Sequence, residues 1–109
     1  MAQNFRNQIT QNIDTSFVDI LTAVNSYDAV VGVRLVNTSG NNITVNVKIV
    51  RSSTDYFLIK NAEILQGSSL ELIDGGSKIV LHSGDKIQAS SNAANSLDTV
   101  VSYIDDISA

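Results

Sequence analysis

Apolar and polar residues alternate along most of the chain with a period of two, which is typical of β-strands. The pattern is clearest in residues 43–50, where the branched apolar residues are predicted to face inward and Thr44, Asn46 and Lys48 to face water. Seven further segments show a similar pattern, namely 17–24, 27–36, 56–60, 70–73, 79–82, 86–90 and 97–107. We therefore expect about eight short strands, with a short helix as the alternative for 97–107.

Turn-forming residues separate these segments. Six of them occur in a row at 37–42, so we predict a β-hairpin that joins 27–36 to 43–50. Serine, threonine and aspartate at 52–55 predict another turn. Apolar residues lie on both faces of 27–36, which indicates a central strand of a sheet.

The region 67–91 contains three short apolar segments and two turns that include glycine, at 74–77 and 83–85. Glycine adopts positive φ at low cost, so this spacing predicts an antiparallel meander. The run at 56–60, YFLIK, has no polar face and is predicted to be covered on both sides. Together these patterns predict an all-β fold, a single antiparallel β-sandwich of the jelly-roll type, with a closed barrel as the alternative.

Composition narrows the function. The chain has 109 residues and no cysteine, so we expect one folded domain, residues 17–109, without disulfides or thiolate metal sites. The net charge is −4 and the seven basic residues are scattered, which disfavours binding to nucleic acid. No secretory signal or membrane-spanning run is evident, so we expect synthesis in the cytoplasm and no membrane partner.

The candidate catalytic residues are few. His82, Ser83 and Asp85 are close in sequence, but neighbours on one tight turn are poorly placed to line up as base, nucleophile and orienting acid. Carboxylates near turns, such as Asp85 and Asp105, lack the spacing of a calcium loop. We therefore predict a protein without enzymatic activity, cofactor or metal.

The first sixteen residues, 1–16, are rich in asparagine and glutamine and differ in character from the rest. Phe5, Ile9, Ile13 and Phe17 recur in this region at a constant spacing of four. That spacing places their side chains on one side of either a short helix or an extended segment. We predict an N-terminal arm that reaches onto a neighbouring subunit. The absence of proline, a common guard of sheet edges, suggests that open edges are also used for contacts.

The series YFLIKNAEILQGSSLELIDGGSKIVLHSGDKIQASSNAANSLDTVVSYID, residues 56–105, resembles a pattern in small structural proteins of tailed bacteriophages. In these proteins a strand ending in Tyr-Leu-(Ile/Val)-Lys-(Asp/Asn)-Ala leads to a Gly-Ser-Ser-Leu turn, a Leu-x-x-Gly-Asp hairpin and a final Val-x-x-Ser-Tyr strand. Residues 36–47 fit the pattern too. Where the family often has Pro-x-Gly before the Ser-Ser-Leu turn, this chain has Leu65, Gln66 and Gly67. The resemblance implies a virion component without enzymatic activity.

We therefore predict a capsid decoration or cement protein of a tailed phage, made in the bacterial cytoplasm and located in the virion. Its predicted partners are further copies of itself and other virion proteins, either the major capsid protein or neck and tail proteins. The alternatives are a neck or tail ring or fibre adaptor, and a carbohydrate-binding module that uses Tyr27, Tyr56 and Tyr103. The residues predicted to form the subunit interface are Phe5, Ile9, Ile13, Phe17, Tyr56 and Phe57.

Overall fold

The computed structural model describes residues 4–23, 27–73 and 78–107, and nine β-strands lie within them. In chain order they are β1 (Asn4–Ile13), β2 (Val18–Thr22), β3 (Tyr27–Asn37), β4 (Ile43–Arg51), β5 (Thr54–Ile64), β6 (Ser69–Glu71), β7 (Ile79–Leu81), β8 (Lys86–Ser91) and β9 (Leu97–Ile107). The C-terminal segment is thus a strand and not a helix. The predicted turn at 74–77 and the ends of segments 1–16 and 17–24 lie outside the described residues in part or in full.

The strands form two antiparallel sheets that pack face to face. In the first sheet the order is β1, β9, β3 and then β6 and β7, which pair with different parts of β3. In the second sheet the order is β2, β8, β4 and β5. Because β6 pairs with residues 34–36 and β7 with residues 28–30, the two act as one interrupted edge strand. Each sheet therefore has four strand positions.

Most consecutive strands lie in different sheets. The chain crosses between sheets after β1, β2, β3, β5, β7 and β8, and stays within one sheet after β4 and β6. This connectivity is that of a jelly roll, in which two four-stranded sheets enclose one core. The predicted jelly-roll-like β-sandwich is confirmed, and β3 is a central strand, flanked by β9 and by β6 and β7.

The predicted hairpin between segments 27–36 and 43–50 is wrong, although both strands exist. β3 lies in the first sheet and β4 in the second, so residues 38–42 cross the end of the sandwich. The buried side chain of Asn37 organises this crossing, since its amide donates to the carbonyls of Asn41 at 2.7 Å and Ile64 at 3.0 Å. The predicted turn at 52–55 does join two paired strands, and Ser52 and Ser53 both have positive φ there.

The predicted meander within 67–91 is also wrong. β6 and β7 pair with β3, whereas β8 pairs with β2 and β4 in the other sheet. Alternation fixes which side chains face inward, but each sheet of a sandwich offers the same inward environment, so alternation does not identify the partner strand.

The core lies between the two sheets and is made of branched aliphatic residues. Fully buried side chains include Ile20, Val30, Val33, Leu35, Val45, Val47, Leu81, Ile87, Leu97 and Val101. The described residues do not provide the expected cover over both sides of segment 56–60. Its strand, β5, is an edge strand, and Tyr56 and Phe57 are 55% and 44% exposed.

Candidate functional site

The open edges of the sheets differ in length. β1 and β5 are edge strands of ten and eleven residues, whereas β2 has five and β6 and β7 have three each. β1 lies over β2 at one flank of the sandwich, and β5 is at the far flank of the second sheet. A free strand edge carries unpaired N–H and C=O groups that can pair with another chain. β1 and β5 are therefore the two long strands available for such contacts.

Residues 4–13 of the predicted N-terminal arm form β1, which pairs with β9 of the same chain. Phe5 lies opposite Ile104, and Ile9 lies opposite Val100. These four side chains are on the outer face of the first sheet, because the adjacent Val101 is in the core and neighbouring residues of a strand point to opposite faces. Contact of this segment with a neighbouring subunit stays a prediction.

Phe5 and Ile9 are the most exposed large apolar side chains on this face, at 81% and 65%. Next to them is an open depression of about 600 Å³, and its lining includes Arg6, Asn7 and Ser102. It is a shallow feature of the surface and not an enclosed pocket. The geometry suits contact with another surface more than capture of a small molecule.

The prediction that Ile13 belongs to the interface is wrong, because its side chain is 1% exposed and lies in the core. The constant spacing of four predicted that it would share a face with Phe5 and Ile9. A bulge between Thr10 and Ile13 adds one residue to β1, since Thr10 is opposite Thr99 and Ile13 is opposite Leu97. Asn12 occupies this bulge with φ of 58°. The extra residue reverses the alternation and turns Ile13 inward.

The outer face of the second sheet carries a second apolar patch, formed by Phe17 and Phe57. Their rings are in edge-to-face contact with centroids 6.2 Å apart. The ammonium of Lys48 lies 3.9 Å from the centroid of Phe17 and 2.8 Å from the carboxylate of Asp55. Lys60 lies 5.1 Å from the centroid of Phe57. The prediction that Lys48 faces water is wrong, because Phe17 covers it and leaves it 9% exposed.

The structure therefore divides the predicted interface residues between two sides of the sandwich. Phe5 and Ile9 lie on the outer face of the first sheet, and Phe17 and Phe57 lie together on the outer face of the second. Tyr56 is on the opposite face of β5 from Phe57. The sequence does not predict the contact between Phe17 and Phe57, since the two residues are forty positions apart and no pattern links them.

At one end of the sandwich, the half-exposed guanidinium of Arg51 forms an ion pair with the buried carboxylate of Asp85. Nε of Arg51 lies 3.0 Å from each carboxylate oxygen of Asp85, and Nη2 lies 2.6 Å from Oδ2. The backbone N–H of His82 donates to the same carboxylate at 2.8 Å. Hydrogen bonding to Arg51 holds the pKa of Asp85 below its usual value of 3.8, against the opposing effect of burial.

This arrangement leaves Asp85 engaged in structural bonds. The ring of His82 stacks on Tyr27, with centroids 4.8 Å apart and an interplanar angle of 16°. A carboxylate that accepts bonds from Arg51 and a backbone N–H is in no position to orient an imidazole as a catalytic base. The cluster joins the β4–β5 turn to the β7–β8 turn. The ion pair and the backbone hydrogen bond therefore hold these two turns together.

Among the described residues, the remaining candidates for a metal, membrane or carbohydrate contact are as follows. The described ranges contain no group of three or more His, Asp or Glu side chains placed to hold a metal ion. Nor do they contain a helix long and apolar enough to cross a membrane. Of the three tyrosines considered for carbohydrate, Tyr27 is stacked on His82, Tyr56 is exposed on β5 and Tyr103 packs against the core.

Comparison with known proteins shows the fold. No protein-family model and no curated protein matches the sequence. A chain from the disulfide-linked pili that form Bacillus endospore appendages superposes with a TM-score of 0.57 at 14% identity, over 98% of this chain and 88% of that one. A chain of the T13 particle of infectious bursal disease virus superposes with a TM-score of 0.52 at 9% identity, over 97% of this chain but 36% of that one.

A pentameric capsid protein from metagenomic phage sequences superposes with a TM-score of 0.47 at 15% identity, over 92% of this chain and 62% of that one. The pilus and T13 particle superpositions establish that this sandwich is a fold shared with a pilus protein and a virus particle protein. At such low identities they establish the fold alone.

Proposed function

We propose that the chain is a non-enzymatic structural component of a tailed-phage virion, and that it decorates or cements the capsid in many copies. The observation that carries the proposal is the position of its exposed apolar side chains. Phe5 and Ile9 lie on one side of the sandwich, and Phe17 and Phe57 lie on the other. A subunit with apolar contact surfaces on two sides can join neighbours in a lattice.

Three further features support this proposal. The series at 56–105 resembles small structural proteins of tailed phages. The net charge of −4 suits an outer surface away from packaged DNA. The jelly roll itself is a fold on which particle and pilus proteins are built. Each contact is small, but many copies on one lattice add their contacts by multivalency.

The direct test uses particles of the phage that encodes the chain, assembled without it. The purified chain is expected to bind these particles at a fixed copy number over the capsid surface and to raise the temperature at which they rupture. Electron cryomicroscopy and thermal release of DNA measure these two effects. A chain that binds nowhere on the particle would overturn the proposal.

Matched variants locate the contact. Phe5→Ser and Phe57→Ser are each expected to reduce the number of bound copies at least tenfold, because each removes an exposed aromatic side chain from one of the two surfaces. Leu65→Ser is the control, since Leu65 is 57% exposed but lies just after β5, apart from both patches. Equal binding by all three variants would contradict the proposed surfaces.

A ring at the neck or tail is the alternative within the same class. Density confined to one vertex, with the symmetry of a ring, would favour it over capsid decoration. A carbohydrate-binding module is the alternative from another class. Specific binding on a glycan array that is lost in Tyr56→Ala would favour that function.

A further inference from the structure

We propose that β1 pairs with β1 of a second copy, antiparallel and about a two-fold axis at Asn7, so that the first sheets of two copies join into one. This contact deepens the proposed function, on which its role in a virion rests. The argument starts from the edge itself. Residues 4–10 of β1 pair with β9 in unbroken register, and the opposite edge of this stretch has no strand beside it among the described residues.

The other edges are less suited to pairing. β5 has two register shifts against β4, between Val45 and Val47 and between Val47 and Lys48, and Asn61 within it has φ of 54°. β2 is short and also has a register shift against β8. β6 and β7 are three residues each. Bulges and short strands are common guards against edge pairing, and β1 lacks both over residues 4–10.

The sequence of β1 is complementary to itself in one register. In an antiparallel pair centred on Asn7, Phe5 of one copy lies opposite Ile9 of the other, and the same contact occurs twice. Directly opposite residues share a face, so these contacts form on the outer face of the joined sheet. Centring the pair on Arg6 or Gln8 would break both contacts between Phe5 and Ile9.

Neighbouring strands extend the contact. Phe5 has Ile104 beside it on β9, and Ile9 has Val100. The joined sheet would therefore carry two apolar rows, each running from Ile104 through Phe5 to Ile9 and Val100 of the second copy. This arrangement covers the two most exposed large apolar side chains of the described residues.

Charge supports the same register. On the other face of the strand, Arg6 of one copy lies opposite Gln8 of the second copy, so the two arginines do not face each other. Arg6 also forms an ion pair with Asp105 of its own chain. No like charges lie opposite each other in this register. Asn7 of one copy lies opposite Asn7 of the other, and each side-chain amide can both donate and accept a hydrogen bond.

The size of the contact fits a weak dimer. One strand pair with two apolar rows buries less than the ~1,200 Å² of a stable, specific interface. We therefore expect dimers that form in a concentration-dependent way in solution and become stable when both copies are also held on a particle. The Phe17 and Phe57 patch remains on the other side of each copy for that second contact.

The test uses cysteine cross-linking, since the chain has no cysteine of its own. In Asn7→Cys the two thiols meet at the axis, where opposite Cβ atoms are about 4.5–5.5 Å apart. Under mild oxidation this variant is expected to form disulfide dimers at least tenfold faster than Ile9→Cys or the control Leu65→Cys. A mixture of Phe5→Cys and Ile9→Cys is expected to form the mixed dimer in preference to either homodimer.

Equal rates for all single variants, with no preference in the mixture, would overturn the proposed pairing. Circular dichroism and thermal unfolding confirm that each variant is folded, which is expected because Asn7, Phe5 and Ile9 are exposed. The result is separate from the test of the proposed function. If Asn7→Cys cross-links but binds no particle, the proposed function is overturned and the proposed dimer stands. If the chain decorates particles fully but Asn7→Cys never cross-links, the dimer is overturned and the function stands.

Discussion

The guanidinium of Arg51 holds the carboxylate of Asp85 from two of its nitrogen atoms, at 2.6 to 3.0 Å, although the residues are 34 positions apart. Asp85 is 2% exposed, and its carboxylate also accepts the N–H of His82. Charge-assisted bonds to a buried carboxylate are stronger than neutral ones. The pair therefore fixes one end of the sandwich.

Asp85→Asn is expected to lower the free energy of unfolding at pH 7 by about 1–3 kcal/mol, because the amide loses the charge that Arg51 pairs with. Urea denaturation measures the change. The control is Asp19→Asn, whose ion pair with Lys86 is 3.6 Å long and exposed on both sides, so its removal is expected to cost about 0–1 kcal/mol.

The same pair predicts a pH dependence. The pKa of Asp85 is lower in the folded chain than in the unfolded one, where the usual value of 3.8 applies. Its contribution to stability is therefore fully present above that value and is lost as the pH falls through the folded pKa. The difference in stability between the natural chain and Asp85→Asn should shrink as the pH falls below about 4. A difference that stays constant down to pH 2 would contradict this assignment.

Lys48 stabilises the second sheet through its aliphatic stem as well as its charge. Lys48→Ala is expected to lower the free energy of unfolding by about 1–2 kcal/mol, since it removes the contact with Phe17 and the packing beneath it. Lys48→Met keeps the stem and leaves Asp55, which is 46% exposed at its side chain, to be hydrated. Thermal unfolding of the two variants should show a smaller loss for Lys48→Met, about 0.5–1 kcal/mol, because only the contacts of the ammonium are removed. Equal losses in both would assign the effect to charge alone.

The side-chain amide nitrogen of Asn37 is predicted to be necessary for the stability of the fold. It donates to Asn41 and Ile64 while the side-chain oxygen accepts two bonds from Ser39. Asn37→Asp leaves the buried carbonyl of Ile64 and the part-buried carbonyl of Asn41 facing a carboxylate, so we expect a loss of about 2–4 kcal/mol in urea denaturation.

The control for Asn37 is the same substitution at an exposed position. The side-chain oxygen of Asn42 accepts the N–H of Gln66, and a carboxylate can accept the same bond. Asn42→Asp should therefore change stability by less than about 0.5 kcal/mol. Similar losses at both positions would show that charge, and not the missing donor, is responsible.

These cases show what the sequence predicts well. Alternation located β4 and the β-branched core that it contributes, because a strand with one buried face must alternate. The turn after Asn37 does not form the predicted hairpin. Instead it crosses to the other sheet, because the side-chain amide of Asn37 binds the distant carbonyl of Ile64. Strand pairing between distant segments has no signature in a single sequence, and the pairing of Arg51 with Asp85 has none either.

The predicted interface follows the same rule. Phe5 and Ile9 were placed together on one face, as the structure has them, because an even spacing on a regular strand keeps one face. Ile13 lies on the other face because one extra residue at Asn12, which has positive φ, shifts the alternation by one position. The alternation pattern alone does not reveal such a bulge. Local irregularities thus decide which apolar residues reach the surface.

Thr99 offers a stabilising substitution. Its hydroxyl is buried and has no hydrogen-bond partner among the described residues. Thr99→Val replaces it with a methyl group of similar shape, so we expect a gain of about 1 kcal/mol. Differential scanning calorimetry measures the shift. Thr22→Val is the control on an exposed strand position and should change stability by less than about 0.5 kcal/mol. A destabilised Thr99→Val would mean that the hydroxyl has an unseen partner such as buried water.

Two isoleucines four residues apart on β1 are expected to behave oppositely. Ile13→Ala should lower the free energy of unfolding by about 2–4 kcal/mol, because Ile13 is 1% exposed and its loss leaves a cavity in the core. Ile9→Ala should change it by less than about 0.5 kcal/mol, since that side chain is 65% exposed. Urea denaturation of both variants, at a concentration where the chain is monomeric, makes the comparison. If Ile9→Ala lost as much stability as Ile13→Ala, β1 would be packed on both faces within one chain, and the apolar side chains of its outer face would not be available to a second copy.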